Sequence, residues 1–492
     1  MAAILGGGLG GLSTGYYLLK NNVLSNNNLK LLLLEATNNC GGWIKTIKTK
    51  DYIFEQGPRT IRPKGLSGLN TLNMLQDLGL SEHVAPIKPD HPAAKNRLIY
   101  VNNTLHILPS SLKSVFKKNE PFSKPLIYAL FNDIRQPPSE LEDDSIYNFV
   151  ERRFGKEVAD YGIAPMICGI CAGDAREISV KFLMKTLFEW EQNHGGVMKG
   201  LMKSIFKSKT DNNLVLSDLA KRAQEEKWNV YTIKGGLETF PTTLYEYLED
   251  NEVAMKLNHR ISEIEFVDSG SVKLKRNDGD TFTVNHVYAS LPAFVLSDLV
   301  KKQHPELATT LKEIPFVTVG IVNLFFRTNK SLITPAFGFL VPPIENSSIL
   351  GVVFDSCCIP DQSGTVLTVM LGGRWFKEKF GENVTEKVLL DIALKEIKSI
   401  LNIEEEPTAT NVKILDKCIP QYVIGHYERV EKVRKYIQEN NLPISLVGSS
   451  YDGVGINDVI LSAKTQVEED LPYFKKQSVV GVKPTEETPI AP

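Results

Sequence analysis

A glycine-rich turn near the start of the chain has the residue types and spacing of a phosphate-binding loop. The run Gly6-Gly7-Gly8-Leu9-Gly10-Gly11 satisfies the pattern G-x-G-x-x-G. In this pattern the first glycine permits a tight turn, the second lets the backbone approach a pyrophosphate, and the third allows a helix to pack closely on a sheet. Free N–H groups at the start of that helix attract phosphate oxygens. The turn therefore predicts a dinucleotide site.

The elements around this turn are those that such a site requires. Apolar residues predict a strand at Ala2–Leu5, a helix from about Gly11 to Lys20, and a second strand at Leu29–Leu34. Glu35 ends the second strand, where this fingerprint carries an acidic residue. Its carboxylate would accept hydrogen bonds from both ribose hydroxyls, which favours an unphosphorylated ribose. The residues described so far are compatible with either FAD or NAD.

Residues beyond the second strand favour FAD. Gly41 and Gly42 resemble the R-x-G-G element of the FAD-dependent amine oxidase superfamily, although Asn39 stands at the arginine position. Far along the chain, ISLVGSSYDGVGINDVI (residues 444–460) predicts a strand, a glycine-rich turn and a helix start. In that superfamily this helix points its N-terminus at the flavin, where its dipole stabilises negative charge on the reduced ring. The resemblance implies an α/β fold with a Rossmann-like FAD-binding domain.

Several longer strings resemble the protoporphyrinogen oxidase family of that superfamily. They are IFEQGPRTIRP (53–63), DHPAAKNRLIYV (90–101), PFSKPL (121–126), AFGFLVP (336–342), VMLGG (369–373), CIPQYVIGH (418–426) and GSSYDGVGINDVI (448–460). The resemblance runs from residue 2 to about residue 470. It implies oxidation of protoporphyrinogen IX to protoporphyrin IX, the penultimate step of haem synthesis. Three successive two-electron oxidations would transfer hydride to the flavin, and O₂ would reoxidise it with release of H₂O₂.

The same resemblance assigns cofactor-binding residues by position. Besides the glycine turn, FAD contacts are implied for Glu35, Ala36, Trp43, Gly57, Pro58, Arg59, Thr60, Ile261, Tyr427, Val454, Gly455 and Ile456. Arg59 could instead be a plain ion-pair partner. The backbone amide of Ile261 would meet the adenine, and Val454–Ile456 would lie at the isoalloxazine. Tyr427 stands where animal members tend to have tryptophan.

The implied substrate cavity comprises Arg97, Gly169, Phe337, Leu340 and Met370. A flat, largely apolar tetrapyrrole with two propionates calls for apolar side chains and a cation. The arginine would bind a propionate bidentately, the phenylalanine and leucine would enclose the rings from one side, and the methionine would fill the other. The glycine leaves room for the macrocycle. We assign no general acid or base, because the cofactor carries the difficult chemistry.

Two cysteine pairs, Cys168 with Cys171 and Cys357 with Cys358, raise the question of a zinc or redox site. Zinc calls for four ligands in two correctly spaced pairs, and adjacent cysteines suit tetrahedral geometry poorly. The first pair lies in an apolar helical context, where buried thiols are usual. We therefore expect no metal site.

Composition excludes several classes of protein. The chain has 492 residues, with 56 basic against 58 acidic side chains and a net charge of -2, which argues against a polybasic nucleic-acid binder. Six cysteines are too few for a secreted disulfide scaffold. The longest apolar run, Ile314–Phe326, is too short to span a bilayer, and its β-branched residues favour a buried strand. We predict a large globular protein without a membrane span.

The resemblance also implies three interleaved domains. The FAD-binding domain would comprise residues 1–90, 226–298 and 410–474, the mixed-sheet substrate domain 91–109 and 299–409, and a helical, membrane-associated insertion 110–225. The polar, proline-rich residues 475–492 are predicted to be disordered. Within the insertion, lysines 113, 117 and 118 beside Phe116 and Phe122 suit either a solvated face or a membrane surface.

Compartment and partners follow only from the resemblance. It implies peripheral attachment to the mitochondrial inner membrane, a homodimer and contact with ferrochelatase. The first residues, MAAILGGGLGG, show no cleavable presequence, so the address would be internal.

The residues described above are also compatible with two other functions. One is another FAD-dependent oxidoreductase, such as an amine oxidase or a carotenoid desaturase. Amine oxidases usually carry a covalent-flavin cysteine near the C-terminus, and Cys418 does not lie in the final glycine-rich turn. The other is a non-enzymatic binding protein on the same fold, such as an escort of prenylated GTPases, which binds no flavin. Flavin absorption by the purified protein would separate the two.

Overall fold

The computed structural model describes residues 1–21, 23, 30–109, 112–205, 215–267, 270–327 and 333–479. The chain divides into two compact units. The first comprises Met1–Gly42, Pro241–Ala308 and Lys435–Pro492, and the second comprises Trp43–Phe240 and Thr309–Arg434. Each unit is therefore assembled from segments that are distant in sequence.

A five-stranded parallel sheet is the centre of the first unit. Its strands follow the order β19-β13-β1-β2-β9, with bounds β1 Ala2–Leu5, β2 Leu31–Leu34, β9 Ala254–Lys256, β13 His286–Ala289 and β19 Ile444–Leu446. Both β1 and β2 are buried along their whole length, as expected of unbroken apolar runs in a parallel sheet. An antiparallel meander, β10 Ile261–Val267, β11 Ser271–Arg276 and β12 Thr281–Val284, belongs to the same unit.

A seven-stranded mixed sheet dominates the second unit, in the order β18-β14-β17-β16-β15-β6-β7. Its strands are β6 Leu98–Val101, β7 Thr104–Ile107, β14 Phe316–Phe326, β15 Gly338–Leu340, β16 Ile349–Val353, β17 Thr365–Gly373 and β18 Ala409–Pro420. Only the β15–β6 pair is parallel among these described strands. Two small antiparallel pairs complete the unit: β3 Thr46–Lys48 with β4 Ile53–Glu55, and β5 Val84–Ile87 with β8 Val230–Ile233.

The helices, in chain order, are α1 Leu9–Lys20, α2 Gly65–Asp77, α3 Pro92–Lys95, α4 Leu112–Val115, α5 Ile127–Arg135, α6 Ile146–Phe154, α7 Lys156–Val158, α8 Ala164–Cys171, α9 Val180–His194, α10 Val197–Ile205, α11 Asp218–Glu225, α12 Thr239–Asp250, α13 Ala293–Val300, α14 Pro305–Lys312, α15 Phe376–Phe380, α16 Glu386–Leu401, α17 His426–Glu439 and α18 Ile456–Val479. Side-chain caps define several starts: Ser145, Ser179 and Ser217 accept backbone N–H groups at α6, α9 and α11.

Most predicted elements are present. The strand at Ala2–Leu5 is confirmed, and the helix after the glycine turn begins two residues earlier than predicted, at Leu9. The apolar run predicted to be a buried strand is β14. The final helix continues to Val479, so residues 475–479 are helical rather than disordered; the remainder of the predicted tail lies outside the described residues. Among the described residues, no helix is long and apolar enough to cross a membrane.

The two units divide the chain differently from the three predicted domains. Residues 43–90, 226–240 and 410–434, which we expected in the FAD-binding domain, belong to the second unit. Strand β18 explains part of this difference, because it pairs with β14 along most of its length. The predicted helical insertion, residues 110–225, falls within the second unit and does not form a unit of its own. Residues 299–308, expected in the substrate domain, lie in the first unit, where Ser297 Oγ donates to the carbonyl of Ala308 at 2.7 Å.

Candidate functional site

At two positions of the glycine turn, a backbone carbonyl oxygen occupies the place where a side chain would begin. A Cβ atom on Gly11 would lie 1.9 Å from the carbonyl oxygen of Gly6, and one on Gly6 would lie 2.5 Å from that of Ser290. Gly6 also has a φ of 99°, which favours glycine. At Gly8, in contrast, a Cβ would meet only the Cα of Gly42, at 3.9 Å. The turn is thus closely packed on its inner side and open beside Gly8.

The acidic residue of the fingerprint is held by the turn itself. Glu35 Oε2 accepts the N–H of Gly7 at 2.7 Å, and Oε1 accepts the N–H and the hydroxyl of Thr37, both at 2.8 Å. A carboxylate offers about four acceptor positions, so these three bonds fix its orientation and leave capacity for a ligand hydroxyl. The neighbouring Ala36 is half-buried.

The two glycines that follow lie against the same turn. The N–H of Gly41 donates to the carbonyl of Gly7 at 2.8 Å, and a Cβ on Gly42 would lie 3.3 Å from the Cα of Gly8. Both glycines have positive φ, 111° and 60°. Asn39, at the missing arginine position, is exposed. The structure therefore brings together two elements that the sequence places more than thirty residues apart.

The start of α18 supplies the third predicted element of the first unit. Gly453 has a φ of 146°, and a Cβ there would lie 2.4 Å from the Cβ of Asp458. Val454, Gly455 and Ile456 are half-buried, and Gly455 accepts the N–H of Val459 at 3.0 Å. Ile261, half-buried, begins β10.

The remaining predicted cofactor residues belong to the second unit. Trp43 is 44% exposed. A Cβ on Gly57 would lie 2.1 Å from the carbonyl oxygen of Trp43. Pro58 and Thr60 are half-buried and flank the buried Arg59. Tyr427 lies in the first turn of α17, where its hydroxyl donates to the carbonyl of Lys181 at 3.3 Å. Whether these residues and those of the first unit meet one cofactor stays a prediction.

Three of the five predicted substrate residues lie together. Gly351 pairs with Leu340 on one side and with Met370 on the other, so these residues form a row across β15, β16 and β17 and share one face. Helix α8 packs against β15 and β16, and a Cβ on Gly169 would lie 2.9 Å from Leu340 Cδ2. Gly169 is exposed and the leucine and methionine are half-buried, although their strands lie inside the sheet. Such accessible apolar side chains suit a ligand surface.

The other two substrate residues precede neighbouring parallel strands. Arg97 comes directly before β6 and Phe337 directly before β15, and Leu98 pairs with Phe339. The N–H of Phe337 donates to the carbonyl of Asn96 at 3.1 Å. Arg97 is exposed and has no acidic partner among the described residues. Although the residue as a whole is exposed, partial desolvation of its guanidinium lowers the pKa of Arg97 from the usual value, and the positive charge of Arg62 acts in the same direction.

A buried polar network beside Arg59 was not predicted from the sequence. Arg59 Nε lies 3.1 Å from Asp355 Oδ1, and Thr368 Oγ1 donates to the same carboxylate. Asn323 Nδ2 donates to Thr368 Oγ1 at 2.8 Å and to the carbonyl of Glu55 at 3.0 Å. All these side chains except the arginine are fully buried. The network links the residues after β4 to the seven-stranded sheet.

Glu55 is a second buried carboxyl in this region. Its Oε1 accepts the N–H of Leu237 at 2.7 Å and its Oε2 accepts the hydroxyl of Thr46 at 2.8 Å. Burial raises its pKa to about 7, although these hydrogen bonds and Arg59 oppose the shift. The pKa of Asp355 is also raised by burial, against the effect of Arg59.

The cysteine pairs have the surroundings of structural thiols. Cys168 Sγ donates to the carbonyl of Gly173 at 3.6 Å, and Cys171 Sγ to that of Ile167 at 3.5 Å. Burial raises the pKa of both, that of Cys171 to about 12, which suppresses the reactive thiolate. Cys358 is buried as well, with its pKa raised for the same reason. No group of three metal-ligating side chains occurs in the described ranges.

One serine motif in the chain is not a nucleophile site. Residues 11–15, GLSTG, match the G-x-S-x-G pattern of a nucleophile elbow. In that elbow the serine stands exposed on a sharp turn between strand and helix. Ser13 instead lies inside α1 and is fully buried. The geometry therefore does not support acyl-transfer chemistry there.

Comparison with known proteins identifies the family. Residues 9–469 match the family described as flavin containing amine oxidoreductase. The chain is 36% identical over 468 residues to protoporphyrinogen oxidase of Bos taurus, covering 94% of this chain and 96% of the relative. The chain belongs to the protoporphyrinogen oxidase family of flavin-containing amine oxidoreductases. The predicted family and the predicted class of enzyme are confirmed.

A more distant relative and a solved structure are also similar to the chain, and the solved structure confirms its fold. It is 27% identical over 494 residues to coproporphyrinogen III oxidase of Bacillus subtilis (strain 168), covering 96% of this chain and 98% of the relative. The crystal structure of a candidate protoporphyrinogen oxidase from Exiguobacterium sp. 255-15 superposes with a TM-score of 0.77 at 22% identity, covering 97% and 99% of the two chains. The α/β fold with a Rossmann-like FAD-binding domain is therefore that of the family.

FAD is the cofactor of this family, and the residues of the first unit fit it. The open position beside Gly8 would admit a pyrophosphate, which a side chain there would displace. Helix α1 has Gly8 as its N-cap and no side-chain cap, so its first N–H groups are available to phosphate oxygens. The remaining acceptor position of Glu35 suits one ribose hydroxyl.

Proposed function

We propose that this protein oxidises protoporphyrinogen IX to protoporphyrin IX. The observation that carries the proposal is the 36% identity to the bovine enzyme over 94% of the chain. The clustering of Gly169, Leu340 and Met370 on one accessible face supports it. Arg97, which is exposed and has no acidic partner among the described residues, is suited to a propionate.

The side chains of the second unit would bind and orient the substrate. The apolar row on β15 and β17 would pack against the pyrrole rings, and Arg97 would fix their direction through a charge-assisted bond. When bound, FAD supplies the two-electron acceptor for the oxidation. Arg97 is the one titratable side chain among the five predicted substrate residues, so we assign these residues binding and orientation and no proton transfer.

The proposal is tested by the fluorescence of protoporphyrin appearing from its reduced precursor. The purified, FAD-loaded protein should produce this signal with protoporphyrinogen IX. Coproporphyrinogen III is the matched second substrate, because it has the same ring and four propionates, and a relative bears its name. A faster reaction with the second substrate, or no reaction with the first, would contradict our proposal. Oxidation of benzylamine instead would favour an amine oxidase.

We also propose O₂ as the electron acceptor, with H₂O₂ released at each of three two-electron steps. The family resemblance supports this. Stoichiometry checks it: three H₂O₂ should form for each protoporphyrin under air. Product formation under strict anaerobiosis, without an added acceptor, would contradict the proposal.

Peripheral membrane attachment is a further proposal, supported by exposed apolar side chains on the second unit. On α5, Tyr128, Phe131 and Ile134 are 59%, 52% and 47% exposed, at a spacing that places them on one face. Phe116, 66% exposed, lies between the exposed lysines 113 and 117. Apolar residues beside basic ones suit the surface of an anionic bilayer.

Vesicle sedimentation tests this attachment. The protein should pellet with phosphatidylcholine vesicles that contain cardiolipin, and the double change Tyr128→Ser and Phe131→Ser should weaken pelleting without altering flavin content. Val388→Ser is a matched control, because Val388 is a similarly exposed apolar residue of α16. Equal pelleting of all three proteins would contradict our assignment of this face.

The mitochondrial inner membrane, a homodimer and contact with ferrochelatase are proposals supported by the family resemblance alone. Cell fractionation tests the first, and light scattering of the purified protein tests the second. Co-purification with ferrochelatase from cross-linked mitochondria tests the third. A monomeric mass at micromolar concentration would contradict the homodimer.

A further inference from the structure

Arg59 is held from one side and unpartnered on the other. Its side chain is only 8% exposed. Nε lies 3.1 Å from Asp355 Oδ1, and Nη2 donates to the carbonyl of Gly57 at 3.4 Å. No residue in the described part of the chain accepts a hydrogen bond from Nη1. Because a guanidinium presents five donors in a rigid fork, this arrangement leaves an edge available to a ligand.

Asp355 is fixed by side chains from the interior of the sheet. Thr368 of β17 donates to its Oδ2, and Asn323 of β14 donates to Thr368. Asn411 of β18 in turn donates to Asn323 Oδ1 at 2.9 Å. A connected polar network of this kind rigidifies the groups within it. The carboxylate therefore has a fixed place relative to three strands of the sheet.

Arg59 and Asp355 also interact through their opposite charges. Asp355 is completely buried, and removal of the partner of a buried charge leaves that charge uncompensated. Oδ1 lies close to Arg59 Nε without the alignment of a hydrogen bond, and no other described donor reaches it. The contact is therefore mainly electrostatic, and it balances the arginine on the side away from Nη1.

We propose that Asp355 is a positioning residue, which holds Arg59 so that its Nη1 edge is available to the bound FAD. Asp355 itself makes no contact with the cofactor. This inference rests on the proposed function of the chain as an FAD enzyme, and on the assignment of Arg59 to the cofactor by resemblance. The new element is the role of Asp355, which fixes the position of Arg59 and balances part of its charge.

A double-mutant cycle on the FAD-loaded protein tests the proposal, with the midpoint potential of the flavin as the readout. Asp355→Asn should retain FAD and raise the potential, because the unbalanced charge of Arg59 then stabilises the electron-rich reduced cofactor. Turnover should fall by about tenfold. In the Arg59→Gln background the same change should leave the potential almost unaltered, because without the cation the buried carboxyl takes up a proton and its replacement by an amide then removes no charge.

Asp133→Asn is the matched control. It breaks another completely buried pair, in which Asp133 Oδ1 lies 3.4 Å from Arg153 Nη1, and it should reduce stability without moving the potential. Should Asp355→Asn not fold, Thr368→Val removes the hydroxyl from Asp355 and should shift the potential in the same direction by less. An equal shift in both backgrounds, or none in either, would overturn the proposal. A wild-type protein that binds no FAD would instead contradict the proposed function.

Discussion

Gly169 of helix α8 faces Leu340 of strand β15 so closely that a single methyl group would bring them into conflict. A Cβ on Gly169 would lie 2.9 Å from Leu340 Cδ2 and 3.2 Å from Cδ1. The glycine is exposed although its helix packs on the sheet. The two residues thus border the surface on which we place the substrate.

We therefore expect Gly169→Ala to raise KM for protoporphyrinogen by about tenfold, because Leu340 must turn toward the ligand to admit the new methyl group. Flavin content should not change. Gly162→Ala is the matched control, because a Cβ there would meet only Val158 Cγ1 at 3.8 Å. Steady-state kinetics of both variants provide the measurement, and equal KM values for them would argue against this placement.

Arg97→Ala should raise KM or reduce turnover while leaving flavin content unchanged. A lost charge-assisted bond corresponds to about 2 kcal/mol, or roughly thirtyfold in kcat/KM. Arg97→Lys should recover only part of this loss, because an ammonium cannot bind a carboxylate bidentately. Lys95→Ala, two residues earlier and also exposed, serves as the control. Loss of flavin from the Arg97 variants would mean that the residue belongs to the cofactor site.

The glycine turn predicts a contrast between two alanine substitutions. Gly11→Ala should prevent stable folding, since its Cβ would lie 1.9 Å from the carbonyl of Gly6. Gly8→Ala should fold, because the space beside it is open in the protein, but should lose FAD because the methyl group occupies the pyrophosphate position. Thermal unfolding and bound-flavin absorption distinguish these effects. A Gly8→Ala protein with full flavin content would refute our placement of the phosphates.

Glu55 predicts a pH dependence of stability. Its pKa is raised from 4.5 to about 7 in the folded protein, so the folded state keeps a proton that the unfolded state has lost. Stability should therefore decrease as pH rises from about 4.5 to about 7, by about 3 kcal/mol in total.

Glu55→Gln, which resembles the protonated carboxyl, should remove this dependence and stabilise the protein above pH 7. Urea unfolding across this pH range is the measurement. Glu140→Gln, at an exposed glutamate, should retain the wild-type pH profile. If the free energy of unfolding of the Glu55→Gln protein decreased with pH as it does in the wild type, another titrating group would be responsible.

The glycine turn and its strand–helix–strand unit could be predicted because their signals are local. Strand β18 was not predicted, because its sequence ATNVKILDKCIP carries charged residues at Lys413, Asp416 and Lys417. The structure explains them: β18 is the edge strand of its sheet, where charged residues are usual. A polar pattern at an edge therefore conceals a strand that tertiary pairing forms.

The network around Arg59 could not be predicted, since Glu55, Asn323 and Asp355 are far apart in sequence. One signal was nevertheless present. Asn323 is a lone amide inside the apolar run that forms β14, and a buried amide needs hydrogen-bond partners. Its presence indicates that a polar group lies opposite, but only the fold identifies the carbonyl of Glu55 and the hydroxyl of Thr368 as those partners.

The position of β19 in the first sheet has a consequence for synthesis of the protein. Strands β1 and β2 leave the ribosome early, but β19, which completes the sheet beside β13, begins only at Ile444. At about 5–20 residues per second, that interval lasts some tens of seconds. During part of it strand β13 (His286–Ala289) has been synthesised but lacks its parallel partner β19. The sheet can therefore be completed on that side only when synthesis of the chain is almost finished.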